Sequence, residues 1–415
     1  MIVNSQPAKR PLPSLRFPEF GDVGEDRNLT ELCHRIGDGI HSTPVYSDNG
    51  ECHFINGNNL SNGTIKIEPT TKRVDLEEAK KHQRPLSDDT ILLSINGTIG
   101  NIAFYRHEQV ILGKSACYIN VDDSAANKRY IYSFLGTERV RYYFESELTG
   151  STIRNLSLAA IRSLHLSLPS LPEQRKIANF LTAVDGRIGQ LIQKKALLED
   201  YKKGVMQQLF TQAIRFKDDH GNDFPDWEEK KLGEVSQNVG YGMNAAATEF
   251  DGVTKYIRIT DIDESSNKFR PDPVTSPDER AGDQYKLQRG DIVFARTGAS
   301  VGKSYLYDEA DGNLAFAGFL IRFSIREDVA NPVFIFLQTL TQDYWRWVKV
   351  YSMRSGQPGI NAEEYKTFTI QLPTLPEQTK IADFLSAIDR KIESVATQIT
   401  ETQTFKRGLL QQMFV

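Results

Sequence analysis

The chain is short of cysteine and of long apolar runs, and both shortages restrict what it can be. Its 415 residues include 3 cysteines, Cys33, Cys52 and Cys117, an odd number without CxxC spacing. This usage predicts reduced thiols in a cytoplasmic protein rather than a disulfide framework. No stretch approaches the roughly 20 apolar residues of a membrane span. The N-terminus has no apolar run after its basic residues, so we expect no secretory signal.

A surplus of positive charge, which is common in proteins that bind nucleic acid, is also missing. The chain has 50 Lys and Arg against 54 Asp and Glu, a net charge of -4. Any contact with DNA must therefore come from local clusters of cations or from a partner, and we expect the isolated chain to bind DNA weakly. The length itself predicts two to three domains.

The sequence contains fragments of catalytic and metal-binding motifs, but each of these motifs is incomplete. Cys33-His34 and Cys52-His53 have no second pair at zinc-finger spacing, so we expect no metal. Gly113-Lys114-Ser115 and Gly302-Lys303-Ser304 resemble the end of a phosphate-binding loop, but the first glycine is misplaced and no helix start follows. Asn331-Pro332-Val333-Phe334 resembles the Asn-Pro-Pro-Phe motif of adenine methyltransferases, yet Val333 replaces the second proline and a helix start is favoured. These absences predict a non-catalytic protein without a cofactor of its own.

The chain does contain an internal repeat, which decides its architecture. Residues 168–210 align without gaps on residues 372–414 at a constant offset of 204, and 19 of the 43 positions are identical. In each copy a proline stands where the first helical turn tolerates it, and a glutamate follows, Glu173 or Glu377, which the helix dipole favours. Apolar residues then recur in steps of four and three, as in a coiled-coil seam. Lys195 and Lys202 interrupt the seam in the first copy, and Thr402 and Lys406 interrupt it in the second.

A helix of about 38 residues would be about 57 Å long, and its apolar seam needs a partner. The other copy is the obvious partner, and antiparallel packing of the two copies would give the chain a pseudo-two-fold axis. The repeat therefore predicts two long helices that pair as an antiparallel coiled coil.

The segments ahead of the helices repeat more weakly. FINGNNL (54–60) answers YIRITDI (256–262), TILLSINGTIGNIAF (90–104) answers DIVFARTGASVGKSY (291–305), and FPEF (17–20) answers FPDW (224–227). Runs such as ILLSI, IVFAR and FLIRFSI are rich in β-branched and aromatic residues and predict strands. Residues 125–144 and 331–350 each predict a single helix.

These patterns predict a mixed α/β fold of the α+β type, in which two globular domains alternate with two long helices. The predicted order is a domain at 1–167, a spacer helix at 168–215, a second domain at 216–371 and a second spacer helix at 372–415. Similar helices that carry dissimilar domains suggest a fixed helical frame that presents two different recognition domains. Such symmetry suits duplex DNA, and two different recognition domains predict two different half-sites separated by an unread gap.

The sequence resembles the specificity subunit of type I restriction-modification systems, which act in host defence. The resemblance rests on the paired LPxLPEQxKIAxFLxxxD segments (168–185 and 372–389), on the terminal QQxF (207–210 and 411–414), and on the half-repeats ahead of them. It covers the chain except for residues 1–16, where the sequence departs from the family pattern.

The resemblance implies that each globular domain is a target recognition domain for one half of a bipartite DNA site. It also implies that the helices set the gap and bind two methyltransferase subunits, which methylate adenine N6 with S-adenosylmethionine. Two motor-nuclease subunits that use ATP can join such a complex. The seam residues assigned to partner binding are Ile177, Leu181, Val184, Ile188, Leu191, Ile381, Leu385, Ile388, Ile392 and Val395.

Polar and basic side chains on loops are the expected readers of DNA. In the first domain they are Ser42, Thr43, Asn58, Asn59, Asn96, Thr98, Lys114, Ser151, Thr152, Arg154 and Asn155. In the second domain they are Asn244, Arg258, Thr260, Arg296, Thr297, Lys303, Arg354, Ser355 and Gln357. For any one of them an ordinary polar loop is an equally good interpretation. The alternative function is a coiled-coil scaffold that presents two protein-interaction modules and does not touch DNA; the net charge favours it, and the matched loops and the resemblance oppose it.

Overall fold

The structure is a computed structural model that describes residues 13–22, 24–150 and 154–414. It divides into two compact units, one of Met1–Gln193 with Ala396–Val415 and the other of Lys194–Val395. We call them the first and second unit. Both divisions fall inside the predicted spacer helices, so each unit contains one globular part and half of each helix. The four-segment division at 167, 215 and 371 stays a prediction about domain limits.

The first unit is built around a four-stranded antiparallel sheet with the order β2-β10-β7-β8. Smaller sheets pair β1 with β11, β4 with β5, and β3 with both β6 and β9. The strands are β1 Glu25–Asn28, β2 Cys33–Asp38, β3 Cys52–Ile55, β4 Leu60–Ser61, β5 Thr64–Ile65, β6 Arg73–Val74, β7 Thr90–Asn96, β8 Thr98–Phe104, β9 Val110–Leu112, β10 Ala116–Val121 and β11 His165–Leu168. The helices are α1 Leu76–Lys81, α2 Lys128–Leu135, α3 Glu138–Ser146, α4 Leu158–Arg162 and the long α5 Leu171–Phe210, with 3-10 turns at Leu29–Leu32 and Gly57–Asn59.

The second unit has the same plan, with a four-stranded sheet of order β13-β20-β17-β18. Two-stranded sheets pair β12 with β21, β14 with β16 and β15 with β19. The strands are β12 Glu228–Lys231, β13 Ser236–Tyr241, β14 Ala247–Glu249, β15 Lys255–Ile257, β16 Thr275–Pro277, β17 Asp291–Ala295, β18 Ser304–Leu306, β19 Leu314–Phe316, β20 Leu320–Ile325 and β21 Thr369–Leu372. The helices are α6 Pro332–Gln338, α7 Gln342–Tyr351, α8 Ala362–Lys366 and the long α9 Leu375–Met413, with 3-10 turns at Ile259–Asp261, Asp283–Tyr285 and Glu309–Asp311.

The predicted strands are confirmed, but the two predicted single helices are wrong. Residues 125–144 contain α2 and α3, and residues 331–350 contain α6 and α7. The breaks fall before Thr137 and Thr341, whose side chains accept hydrogen bonds from the amides of Val140 and Tyr344 and so begin a new helix. Apolar spacing continues across each break, which is why periodicity did not reveal it.

Each unit has its own core, and both long helices contribute to each core. In the first unit Ile177 and Leu181 of α5 share a core with Leu409 and Met413 of α9. In the second unit Leu209 of α5 shares a core with residues of α9 such as Leu385. The helix halves are antiparallel within each unit, because residues late in one helix meet residues early in the other. The predicted fold class, with its paired long helices and its repeat, is confirmed.

Candidate nucleic-acid interface

At the start of each long helix a buried glutamate pairs with a partly buried arginine. The side chain of Arg16 contacts Glu173 with its Nε and Nη2 atoms at 2.9 and 2.6 Å from the two carboxylate oxygens. Arg215 contacts Glu377 in the same way, at 3.1 and 2.8 Å. The glutamates are only 2% and 0% exposed, and the hydrogen bonds raise the pKa of each arginine above its ordinary value. These forked pairs are the charge-assisted kind that fix geometry as well as adding energy.

The glutamine of each LPEQ motif fastens the globular part to the long helix. Gln174 Oε1 accepts from the amide of Asn127 at 2.8 Å, and its Nε2 donates to the carbonyl of Pro169 at 2.8 Å. Gln378 repeats this with Asn331, at 2.8 Å, and with Pro373, at 2.8 Å. Asn127 and Asn331 in turn cap α2 and α6. The LPEQ motif is therefore a structural junction, a role that the sequence analysis missed.

In the second unit, two aromatic residues share the contacts that Phe17 makes in the first. Phe17 packs edge-on against Phe180 with ring centroids 5.9 Å apart, and the matching contact is made by Phe216 on Phe384 at 5.6 Å. The predicted partner Phe224 keeps the other contact of Phe17, because Lys380 Nζ lies 5.7 Å from the centre of the Phe224 ring and Lys176 Nζ lies 4.6 Å from that of Phe17. The match by FP dipeptide therefore accounts for the lysine contact and not for the ring contact. The second junction also has an extra member, Trp227, whose Nε1 donates to Glu377 at 3.2 Å.

Ion pairs explain two interruptions of the helix seam. Lys202 contacts Asp389 at 2.7 Å in the second unit, and Lys406 contacts Asp185 at 2.6 Å in the first. Each lysine and each aspartate is matched by its repeat-mate 204 residues away. Paired charges therefore close the seam at Lys202 and Lys406, two of the four positions where its apolar spacing fails.

The seam residues assigned to partner binding are occupied within the chain. Buried in the cores of their units are Ile177, Leu181, Val184, Ile381, Leu385 and Ile388, and Leu191 and Val395 are also buried. Ile188 and Ile392 are partly buried against the same cores. Burial leaves little of these side chains for a partner, and their assignment to direct partner contact stays a prediction.

In the first unit, six of the predicted DNA-reading residues lie at one end of the four-stranded sheet, and we call this set the first rim. Its members are Asn58, Asn96, Thr98, Lys114, Arg154 and Asn155. Asn96 pairs with Thr98 across the β7–β8 turn and forms a bridge with Asn155. Lys114 precedes Ser115, whose carbonyl accepts from the amide of Ile95 at 2.9 Å.

Asn58 joins the rim because the amide of Gly57 beside it donates to Ser115 Oγ at 2.9 Å. Asn58, Thr98, Lys114 and Arg154 are exposed, and Asn96 and Asn155 are half-buried. The rim thus presents amides, a hydroxyl and two cations on a rigid sheet edge, which is a suitable set for reading base edges.

The remaining first-unit predictions have mixed outcomes. Asn59 is engaged locally, because its Oδ1 accepts from the amide of Asn56 at 2.9 Å and its Nδ2 donates to the carbonyl of Lys66 at 3.1 Å. Ser42 and Thr43 are exposed. Ser151 and Thr152 lie outside the described residues.

In the second unit, the corresponding end of the sheet carries a different set, the second rim, whose members are Tyr241, Asn244, Arg296, Thr297, Phe319 and Gln357. Arg296 directly follows β17. Its amide donates to the carbonyl of Phe319 at 3.0 Å, and its carbonyl accepts from the amide of Ile360 at 2.9 Å. Thr297 forms a bridge with Gly359. The Arg296 guanidinium lies 4.8 Å from the centre of the Tyr241 ring.

Three of the predicted cations of the second unit are held by acids of the chain. Arg258 contacts Asp261 through two hydrogen bonds of 2.8 Å, which raise the pKa of Arg258. Lys303 donates to the carbonyl of Ile262 at 2.9 Å and lies 3.7 Å from Glu264. Arg354 contacts Glu364 at 2.5 Å. Thr260 and Ser355 are exposed.

Tyr241 and Phe319 of the second rim were missed by the sequence analysis. Tyr241 is 44% exposed and Phe319 is 63% exposed, although both are aromatic and would ordinarily be assigned to a core. The backbone bonds of Phe319 match those of Ser115, beside the predicted Lys114. A residue-by-residue alignment of the two sheets would have found Phe319.

The catalytic motifs that the sequence analysis rejected take structural roles. Ser304 begins β18, so no helix N-terminus follows the GKS at 302–304, and its Oγ lies 2.6 Å from that of the buried Thr339. Asn331 caps α6 with its side chain accepting from the amides of Val333 and Phe334. In the described part of the chain no group of three or more His, Cys, Asp and Glu side chains is placed to hold a metal ion. Among the same residues, no helix is both long and apolar enough to cross a membrane.

Comparisons with known proteins agree with this arrangement. A family model described as "Type I restriction modification DNA specificity domain" matches residues 24–200 and 225–403. The type I restriction enzyme MjaVIII specificity subunit of Methanocaldococcus jannaschii is 24% identical over 78% of this chain and 78% of its own length. The EcoBI specificity subunit of Escherichia coli is 21% identical over 78% of this chain and 72% of its own.

Solved structures show the same fold. The S subunit of a type I restriction-modification system from M. genitalium has a TM-score of 0.57 at 15% identity, covering 97% of this chain and 99% of that one. A chain from a study of complex assembly and conformational transition of the type I restriction-modification system also has a TM-score of 0.57, at 16% identity, covering 95% and 98%. Since the family model matches most of the sequence, the chain belongs to the type I restriction-modification DNA specificity family.

Proposed function

We propose that the chain selects the DNA sequence for a type I restriction-modification complex, with each rim reading one half of an asymmetric bipartite site. The observation that carries this is a duplicated frame with diverged rims: both units repeat the Arg–Glu–Gln junction, yet the sheet ends that it supports present different side chains. A frame that is preserved while its polar edges differ suits recognition of two unlike half-sites.

The chain supplies specificity and no catalytic group in this proposal. Methyl transfer to adenine N6 belongs to two methyltransferase subunits that hold S-adenosylmethionine, and motor-nuclease subunits with ATP join where the system has them. We place the assembly in the cytoplasm, where its DNA is. The alternative of a scaffold that does not touch DNA has no support from the family to which the chain belongs.

We place the contacts with the methyltransferase subunits on the solvent-facing sides of the long helices. Although the seam is buried, four large apolar side chains of these helices remain more than half exposed: Ile192 at 51%, Leu197 at 61%, Tyr201 at 53% and Phe405 at 55%. Leu197 and Tyr201 are four residues apart and share one helix face. Exposed apolar side chains of this size suit an obligate partner.

Methylated-base mapping tests the proposed function directly. DNA would be sequenced from cells that express the full chain with its cognate methyltransferase subunit, and from cells that express each alone. We expect N6-methyladenine at a two-part motif with a fixed unread gap, only on co-expression. Absence of this methylation, despite a soluble complex and an active methyltransferase, would reject the proposal in favour of the scaffold.

The partner surface has its own test. The double substitution Leu197→Ser with Tyr201→Ser is expected to lower co-purification of the methyltransferase subunit at least about tenfold, because exposed aromatic and aliphatic anchors carry most of an interface's energy. The matched control is Gln190→Ser, an exposed polar position of the same helix. Equal co-purification of both variants would move the interface elsewhere.

A further inference from the structure

Arg296, the cation of the second rim, is not paired with an acidic side chain. Within the residues that the structure describes, Arg296 has no carboxylate within ion-pair distance, whereas Arg258, Lys303 and Arg354 each have one. Its single hydrogen bond from the side chain, Nη1 to the carbonyl of Gly318, is 3.5 Å long and therefore weak. The guanidinium keeps nearly all its donors for an outside partner.

Tyr241 holds this guanidinium in place without using its donors. The Arg296 Cζ atom lies 4.8 Å from the centre of the Tyr241 ring, a cation–π contact. The ring itself is fixed, because the Tyr241 hydroxyl accepts from the amide of Ala362 at 3.1 Å. Stacking restrains the side chain while its edge N–H groups stay available, which lowers the entropic cost of binding a planar acceptor.

The surroundings of Arg296 suit a base edge better than a backbone phosphate. The backbone of Arg296 is bonded on both sides, to Phe319 and to Ile360. Gly298 is in the left-handed region at φ +77°, and a Cβ there would meet Gln357 Nε2 at 3.2 Å. The residues next to Arg296 in the backbone network thus carry an amide (Gln357), a hydroxyl (Thr297) and an exposed aromatic ring (Phe319).

The first unit has no cation at the backbone position that corresponds to Arg296. The backbone bonds of Arg296 are repeated there by Ile95, whose amide donates to Ser115 and whose carbonyl accepts from Leu156. Ile95 is a core residue, 3% exposed. A guanidinium at this backbone position, held by a tyrosine ring, is therefore found in the second rim and not in the first, where Arg154 lies on the segment beside Asn155. The difference would distinguish the two half-sites.

We propose that Arg296 is a specificity-determining residue that reads a guanine in the half-site of the second unit, with Tyr241 as its positioning residue. Arginine donating two hydrogen bonds to O6 and N7 of guanine is the commonest specific contact in the major groove. This inference rests on the proposed function and deepens it, because it names one base that one rim selects.

Methylated-base mapping of variants, each as full-length chain with the methyltransferase subunit, tests the inference. The wild-type motif should contain a guanine in one half. Arg296→Gln should make that position degenerate, lowering the preference for guanine roughly 10- to 100-fold, and should leave the other half and the gap unchanged. Arg296→Lys should also relax the position, since lysine lacks the planar fork. Tyr241→Leu should weaken the same preference by less.

Two matched substitutions act as controls. Arg289→Gln changes an exposed arginine that precedes β17, at the opposite end of the strand from Arg296, and should leave the motif unchanged. Asn96→Ala in the first rim should alter only the other half-site.

Several outcomes would overturn the inference while leaving the proposed function intact. They are a bipartite wild-type motif without a G·C pair in the half that second-rim substitutions alter, an unchanged motif in Arg296→Gln, or a uniform loss of methylation without change of motif, which indicates a phosphate contact. Absence of any bipartite methylation in the wild type would overturn the proposed function and this inference together. The motif of the wild-type protein tests the inference without any substitution, so the inference can be rejected even if a variant folds poorly.

Discussion

Ile95 of the first unit and Arg296 of the second occupy the same backbone position in their sheets. Their side chains differ in where they lie. Both residues donate and accept matching main-chain hydrogen bonds, Ile95 at the end of the β7–β10 pairing and Arg296 at the end of the β17–β20 pairing. Ile95 is buried in the core, whereas Arg296 leans on Tyr241 at the rim. At the neighbouring strand, Ser115 in one unit is matched by the exposed Phe319 in the other.

The junctions at the starts of the two long helices, in contrast, are the same in both units. Arg16 with Glu173 and Arg215 with Glu377 make the same forked contact, and Gln174 and Gln378 make the same two bonds. The difference teaches where each unit tolerates change: the junction is buried and charged, so a change leaves an uncompensated group, while the rim faces solvent and can vary without harming the core.

The largest expected effect is the loss of unfolding free energy when the glutamate of either junction is removed, and it should differ between the two junctions. Glu173→Ala and Glu377→Ala each leave a partly buried arginine unpaired, and each should cost about 3 kcal/mol of unfolding free energy. Glu377→Ala should cost about 1 kcal/mol more, because Trp227 also loses its acceptor. Calorimetric melting of the full chain measures this, since about 1 kcal/mol shifts the midpoint by about 2–4 °C in a domain of this size.

The matched control for the junction is Glu199→Ala, which removes an exposed pair with Lys195 on α5 and should cost less than about 1 kcal/mol. Losses at the junction as small as that of the control would mean that the forked pairs do not hold the helix starts.

A smaller effect is expected from substituting the two equivalent residues Ile95 and Arg296, whose contributions to stability should differ. Ile95→Ala should cost about 3 kcal/mol because it empties part of the first core, whereas Arg296→Ala should cost less than about 1 kcal/mol. Urea midpoints of the two variants check this, with Leu93→Ala, another buried residue of β7, as the scale for a core cavity. A loss at Arg296 equal to that at Ile95 would show that Arg296 is structural and not a free reader.

The smallest effect concerns the helix seam, where the two units are alike. Double-mutant cycles on Lys202 with Asp389 and on Lys406 with Asp185 should each give a coupling of about 0.5–1 kcal/mol, since both pairs are only partly buried. Added salt should reduce both couplings together. A coupling present in one unit and absent in the other would contradict the equivalence of the two seams.

Several features could be predicted because their signals are local or repeated. The strands around 90–96 and 291–295 follow from short β-branched runs, and the helix start at Asn331 follows from its proline. The two breaks before Thr137 and Thr341 were missed, because a capping threonine competes with an uninterrupted apolar period.

The candidate site was predicted less completely, for a reason of distance along the chain. Of the predicted cations, Arg258 is held by a residue three positions away, but Arg354 is held by Glu364 and Lys303 by residues about 40 positions away. Composition alone cannot tell a paired cation from a free one. Tyr241 and Phe319 escaped because aromatic residues are assigned to a core until their exposure is known.

By itself, the sequence determined the repeat, the two long helices and the family, because a 204-residue offset and a sustained heptad spacing are properties of residue order. The tertiary structure alone decided which glutamate meets which arginine, which seam residues are buried, and which rim cation is left free. Those outcomes depend on contacts between residues far apart in sequence, where burial sets the strength of a charge pair and a neighbour's carboxylate decides whether an arginine is available to DNA.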